Sequence, residues 1–76
     1  MTDFEMDIDA IGLLCPLPVL KLRKRLQKLA AGAQVRLLTD DPASIVDVPH
    51  FCQEQGHRLL SSGERDGHFF FIVQRA

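Results

Sequence analysis

Two cysteines and three histidines are the residues of this 76-residue chain best suited to chemistry. Cys15 stands in the run Gly12-Leu13-Leu14-Cys15-Pro16-Leu17-Pro18, and Cys52 follows Val48-Pro49-His50-Phe51. A thiol reacts as its thiolate, so the surroundings of each sulfur decide its use. An apolar-periodic, base-rich run begins after Pro18 and reads as a helix. Cys15 then falls at the N-cap and Pro16 at the first helical position. A helix N-terminus carries about half a positive charge and favours an anion. This placement predicts a Cys15 pKa below the free-thiol value of ~8.5. Pro16 and Pro18 have no N–H, which leaves Leu17 and Val19 as first-turn donors toward the sulfur. Pro16 also drives Cys15 toward an extended backbone, which turns the side chain outward. The expected result is a fixed, exposed thiol suited to transfer chemistry. The opposing reading makes Cys15 a small buried hydrophobe beside a helix end.

The other reactive residues read more simply. Cys52 lies on the apolar side of a second helix and reads as a core residue; the sharper alternative is a resolving thiol for Cys15. His50 and Cys52 are two apart, which puts them on different helix faces. His50, His57 and His68 form no zinc spacing with the two cysteines, so no metal site is expected. There is no Gly-rich phosphate loop and no paired-carboxylate pattern, and the residues imply no bound cofactor.

These residues need elements to position them. Phe4-Glu5-Met6-Asp7-Ile8-Asp9 alternates apolar and acidic, a strand with Phe4, Met6 and Ile8 inward. Gly12 gives the freedom for a tight turn into the cysteine. The first helix is expected from about Pro16 to Ala30, with Val19, Leu22, Leu26 and Leu29 as its apolar stripe. Lys21, Lys24 and Lys28 fall opposite, with Arg23 and Arg25 on the flanks, and Gly32 marks the stop. Gln34–Thr39 is a second strand with Val35, Leu37 and Thr39 on one face. Asp41 and Pro42 read as a cap and a first helical position. Asp47-Val48-Pro49 repeats that signal. The pattern predicts a short turn over Pro42–Asp47, then a helix from about Pro49 to Gln55. Ile45, Phe51 and Cys52 are its buried residues, and Gly56 its end. Arg58–Ser62 and His68–Gln74 are two more strands, joined through Glu64-Arg65-Asp66-Gly67. The last is apolar on both faces: Phe69, Phe71 and Val73 point one way, Phe70 and Ile72 the other. Neighbouring side chains and the N-terminus are expected to cover the second pair; the sharper reading is an association surface.

The order βαβαββ gives an α+β fold. Two helices pack on one face of a four-stranded mixed sheet, a two-layer α/β sandwich. The strands flanking the first helix run parallel through a right-handed crossover. At 76 residues this is one domain, near the lower limit for a core without disulfides or metal. A net charge of -1 excludes the global basic field that drives nucleic-acid binding. No apolar run approaches the ~20 residues of a membrane span. The acidic start Met1-Thr2-Asp3-Phe4-Glu5 lacks the features of a signal peptide, so a cytoplasmic protein with free thiols is expected.

Asp9-Ala10-Ile11-Gly12-Leu13-Leu14-Cys15-Pro16-Leu17-Pro18-Val19 and the basic helix after it resemble the TusA-like sulfur-carrier family. Its signature is Cys-Pro-x-Pro at the head of the first helix. Asp40-Asp41-Pro42-Ala43, Asp47-Val48-Pro49-His50-Phe51-Cys52 and Gly56-His57 are similar too, so the likeness runs from about Asp7 to Arg75. It implies a fold like the C-terminal domain of translation initiation factor three, and Cys15 as the residue that accepts sulfane sulfur as a persulfide. Pro16, Pro18 and Gly12 would present that thiol. The implied donor is a cysteine desulfurase, which keeps its own pyridoxal phosphate, and the implied acceptor is a downstream relay protein. Transfer RNA 2-thiouridine synthesis is one such destination. Turnover would need these partners, with no membrane and no direct nucleic-acid contact. Family members tend to carry arginine before the cysteine and glutamate between the prolines, where this chain has Leu14 and Leu17. Partner docking is therefore assigned to Leu14 and Leu17; the basic face of Lys21, Lys24, Arg25 and Lys28 reads most simply as a solvated surface, and its start just behind Cys15 makes steering of an acidic partner the sharper reading. A non-catalytic regulatory or interaction module on the same fold is the alternative function.

Overall fold

The computed structural model describes residues 6–76. The elements are β1 (Met6–Ala10), α1 (Leu17–Leu26), β2 (Gln34–Thr39), α2 (Ser44–Gln55), β3 (Arg58–Arg65) and β4 (His68–Gln74). The strands form one sheet in the order β1-β2-β4-β3. β1 pairs parallel with β2, Met6 opposite Val35 and Ala10 opposite Thr39. The β2–β4 and β4–β3 pairs are antiparallel. This is the expected βαβαββ mixed sheet with two helices. The inward position assigned to Phe4 lies outside the described residues.

Period-two burial selects one face of the sheet for the core. Ile8 and Ala10 of β1, Val35, Leu37 and Thr39 of β2, and Phe71 and Val73 of β4 are all buried. Leu22 and Leu26 of α1 and Val48, Phe51 and Cys52 of α2 pack against them. Val19 and Leu29 complete the α1 stripe as half-buried neighbours. On the opposite face, Phe70 and Ile72 are half-buried beside Leu38 and Arg36. The Phe70 ring lies over Gly63, its cross-strand partner, where a Cβ would meet the ring at 2.9 Å.

Four local expectations are corrected. α1 spans Leu17–Leu26, shorter than Pro16–Ala30. Beyond Leu26 the chain tightens into i→i+3 bonds, Lys28 N–H to Arg25 O and Leu29 N–H to Leu26 O. The Arg75 guanidinium caps this end on the Leu26 carbonyl at 2.8 Å. α2 is one helix that continues through Pro49, not a turn followed by a helix. Its buried residues are Ser44, Val48, Phe51 and Cys52, whereas Ile45 is exposed. Ile45 shares a side of the helix with Cys52 but lies in the first turn, where it is 53% exposed while Ser44 is the buried residue. The hairpin linker is only Asp66-Gly67, with φ of 53° and 78°. Two consecutive left-handed residues make the tight turn that suits twisted strands, so β3 extends to Arg65.

Candidate functional site

The thiol-bearing loop leaves the C-terminal end of β1. Its amides are partnered almost one by one. Ile11 N–H donates to Asp9 Oδ1 at 2.9 Å, and Leu13 N–H to the Ala10 carbonyl at 3.2 Å. Gly12 takes a left-handed φ of 85°, which only glycine adopts cheaply. Its N–H crosses to Asp40 Oδ1 at 2.9 Å. Cys15 N–H donates to Asp41 Oδ2 at 2.7 Å. The Cys15–Pro16 peptide is cis. Leu17 N–H turns back to the Leu14 carbonyl at 2.8 Å, and the first helical bond runs from Leu20 N–H to Pro16 O. Pro16 is thus the N-cap, and Cys15 stands one residue outside the helix rather than at its cap. Leu17, expected as a donor to the sulfur, is already used.

The Cys15 thiol is exposed, as the outward reading requires. Its acidity runs opposite to the expectation. A hydrogen bond to the Asp47 carboxylate raises the thiol pKa first. Partial desolvation and the charges of Asp47 and Asp41 raise it further. The helix end cannot compensate, because its N-cap and one first-turn residue are prolines and the Leu17 amide is spent. Two carboxylates outweigh a weakened dipole.

Asp40, Asp41 and Asp47 are the site residues that spacing along the chain does not reveal. Parallel pairing of β1 and β2 explains how they arrive. Parallel strands end on the same side of a sheet, so the loops after Ala10 and Thr39 emerge together. Asp41 is not the helix cap expected, since Ala43 is the N-cap of α2 and no side chain caps it; Asp41 Oδ1 instead accepts the Ala43 N–H at 3.0 Å in the turn before the helix. Its second oxygen reaches a residue 26 positions earlier.

Apolar side chains flank the cysteine in the chain. Leu14 is 70% exposed and Leu17 is 48% exposed. Of the basic docking residues, Lys24, Arg25 and Lys28 are exposed. Lys21 is half-buried and its ammonium donates to the Asp9 carbonyl. It therefore ties α1 to the end of β1. Cys52 is a core residue, and burial pushes its thiol up to about 11. His50 is exposed beside Glu54, 3.4 Å away. Among the described residues no group of three or more His, Cys, Asp or Glu could hold a metal ion. No helix among them is long and apolar enough to cross a membrane.

A family profile described as sulfurtransferase TusA matches residues 6–75. A sulfur carrier protein TusA from Allochromatium vinosum is 36% identical over 76 residues, covering all of both chains. Another from Pseudomonas putida is 40% identical over 77 residues, covering 99% of this chain and 96% of the relative. The crystal structure of a SirA-like protein from Desulfitobacterium hafniense superposes with a TM-score of 0.83 at 29% identity. That match covers 92% of this chain and 96% of the other.

Proposed function

This chain belongs to the sulfurtransferase TusA family and is a sulfur carrier, and we propose that it holds its cargo as a persulfide on Cys15. The observation that carries this reading is the contrast between its two thiols. Cys15 is exposed on a loop held by hydrogen bonds on both sides. Cys52 is 2% exposed inside the core.

Sulfur enters when the Cys15 thiol loses its proton and attacks the terminal sulfur of a donor persulfide. The donor's S–S bond breaks as the Cys15 S–S bond forms. The electron pair stays on the donor's inner sulfur, which leaves as a thiolate. Delivery repeats the step with Cys15 as the leaving thiolate, so no external oxidant or reductant is needed. Gly12 permits the turn into the site, and Pro16 and Pro18 stiffen the backbone around the sulfur. The donor is a cysteine desulfurase or another persulfide-bearing protein, and the acceptor a second thiol protein. The chain turns over only between such partners.

Incubation with a cysteine desulfurase and free cysteine, followed by intact-mass measurement, tests this. A gain of one sulfur is expected in the unsubstituted protein and in Cys52→Ala, and none in Cys15→Ser. Loading that persists in Cys15→Ser, or fails with several desulfurases, overturns the assignment.

A further inference from the structure

We infer that Asp40 and Asp41 are positioning residues for sulfur transfer, latching the thiol-bearing loop onto the segment that opens α2. The inference rests on the reading of Cys15 as the sulfur-bearing residue. Three amides between Ile11 and Leu17 bond close by in the chain, to Asp9, Ala10 and Leu14. Only two reach another part of the chain. They are Gly12 N–H to Asp40 Oδ1 and Cys15 N–H to Asp41 Oδ2, 28 and 26 residues away. One hydrogen bond fixes the entry of the loop and the other fixes the cysteine itself. Together they set where the sulfur lies relative to α2.

The residue types agree with this role. Asp41 accepts from Cys15 with one oxygen and from Ala43 with the other. A carboxylate can accept both bonds, whereas an amide side chain offers one acceptor oxygen and a serine a single hydroxyl. A helix start alone requires no such pair, because serine caps as well as aspartate. Two adjacent anions beside a nucleophile also disfavour its thiolate, and the Asp41 charge does raise the Cys15 pKa. Their presence is accounted for by the geometry they impose.

Four full-length variants test the latch: Asp40→Ala, Asp40→Asn, Asp41→Ser and Asp41→Asn. The readouts are the initial rate of sulfur loading from a desulfurase at saturating donor, the KM for donor, and iodoacetamide alkylation of Cys15 against pH. Misplacing a reacting atom by an ångström costs up to ~100-fold. Loading by Asp40→Ala and Asp41→Ser is expected to fall about tenfold or more in kcat, with KM changed less. Asp40→Asn keeps the single acceptor that Gly12 needs and restores the rate. Asp41→Asn keeps one of two acceptors and does not restore it fully. Asp41→Ser keeps a side-chain acceptor for the Ala43 N–H ahead of α2, so its thermal midpoint stays near that of the unsubstituted protein. Should Asp41→Ser fail to fold, the Asp40 pair decides alone.

Alkylation needs no donor protein and reads the latch independently. Its midpoint is expected to fall toward the ordinary thiol range in Asp40→Ala and to stay in place in Asp40→Asn. No sulfur gain by the unsubstituted protein overturns the Cys15 assignment and leaves alkylation to judge the latch. Unchanged loading in both Asp40→Ala and Asp41→Ser, with an unchanged alkylation profile in Asp40→Ala, overturns the latch itself; the Asp41→Ser profile shifts through lost charge alone and does not judge it.

Discussion

Cys15 sits between a helix end that favours its anion and two carboxylates that oppose it. The carboxylates win, so less thiolate is present at a given pH than on a free cysteine. Alkylation of Cys15 should therefore rise with pH through a midpoint above the ordinary thiol value. Asp47→Asn removes the charge that the thiol faces, so that midpoint should drop and the rate at pH 7 should increase. An unchanged profile would show that Asp47 does not set the acidity. A carrier whose free thiol stays protonated is protected from stray oxidation, since susceptibility follows thiolate character. A docking partner that brings a cation to Asp47 would release the sulfur at the moment of transfer. Thr39 offers a different residue-scale test. Its Oγ1 is buried without a hydrogen-bond partner among the described residues. Thr39→Val keeps the shape and removes the unsatisfied hydroxyl, so denaturant unfolding should show a gain of about 1 kcal/mol.

At the scale of elements, α2 has to accommodate a proline at its sixth position. Pro49 removes one helical bond and crowds the carbonyl of Ile45, a cost of about 3 kcal/mol in a regular helix. Burial of Val48 and Phe51 contributes about 1.5–3 kcal/mol each. The inward stripe therefore carries the helix across the break. At its other end Gly56 adopts a left-handed φ of 76°, and both its N–H and that of His57 bond the Cys52 carbonyl. Gly56→Ala should cost about 1–2 kcal/mol, read as a lower denaturant midpoint. Gly56, the Asp66-Gly67 turn, the α1 stripe and the alternation of β2 follow from local rules, and the structure agrees. The break assigned at Pro49 fails because a local signal competes with a stripe that local rules do not weigh. Cys15 is legible as an exposed thiol because Pro16 constrains it directly. Its acidity is not, because the groups that set it lie on Asp41 and Asp47, brought near by the pairing of two strands.

For the molecule as a whole, the C-terminal segment closes the structure and makes its stability depend on pH. Ala76 N–H donates to His57 Nδ1 at 2.9 Å, and the ring tilts against Phe51 at 5.5 Å. Burial first, and the Arg75 charge second, lower the His57 pKa from 6.5. The unfolded chain then binds more protons than the folded one as pH falls below 6.5. His57 thus supports the fold above pH 6.5, and that contribution is lost as pH drops through its folded-state value. The unfolding midpoint should decline between pH 7.5 and 5, and His57→Gln should flatten the decline. An equally steep loss in that variant would place the effect elsewhere.

Among the described residues β1 and β3 are the two margins of the sheet, and each is blunted. β1 presents Asp7 and Asp9 outward, with Asp7 held by Arg36 at 2.7 Å. β3 breaks its register between Leu59 and Ser61 and carries Arg58, Glu64 and Arg65. Charges and bulges at a margin discourage an extended segment of another chain from pairing there. A protein that must meet one partner and then leave for the next gains from this. Strand addition builds a ladder of main-chain bonds that accepts many sequences, whereas contact at the loop around Cys15 must be read side chain by side chain. Guarded margins therefore make the encounter selective and brief, and keep copies of the carrier from stacking on one another.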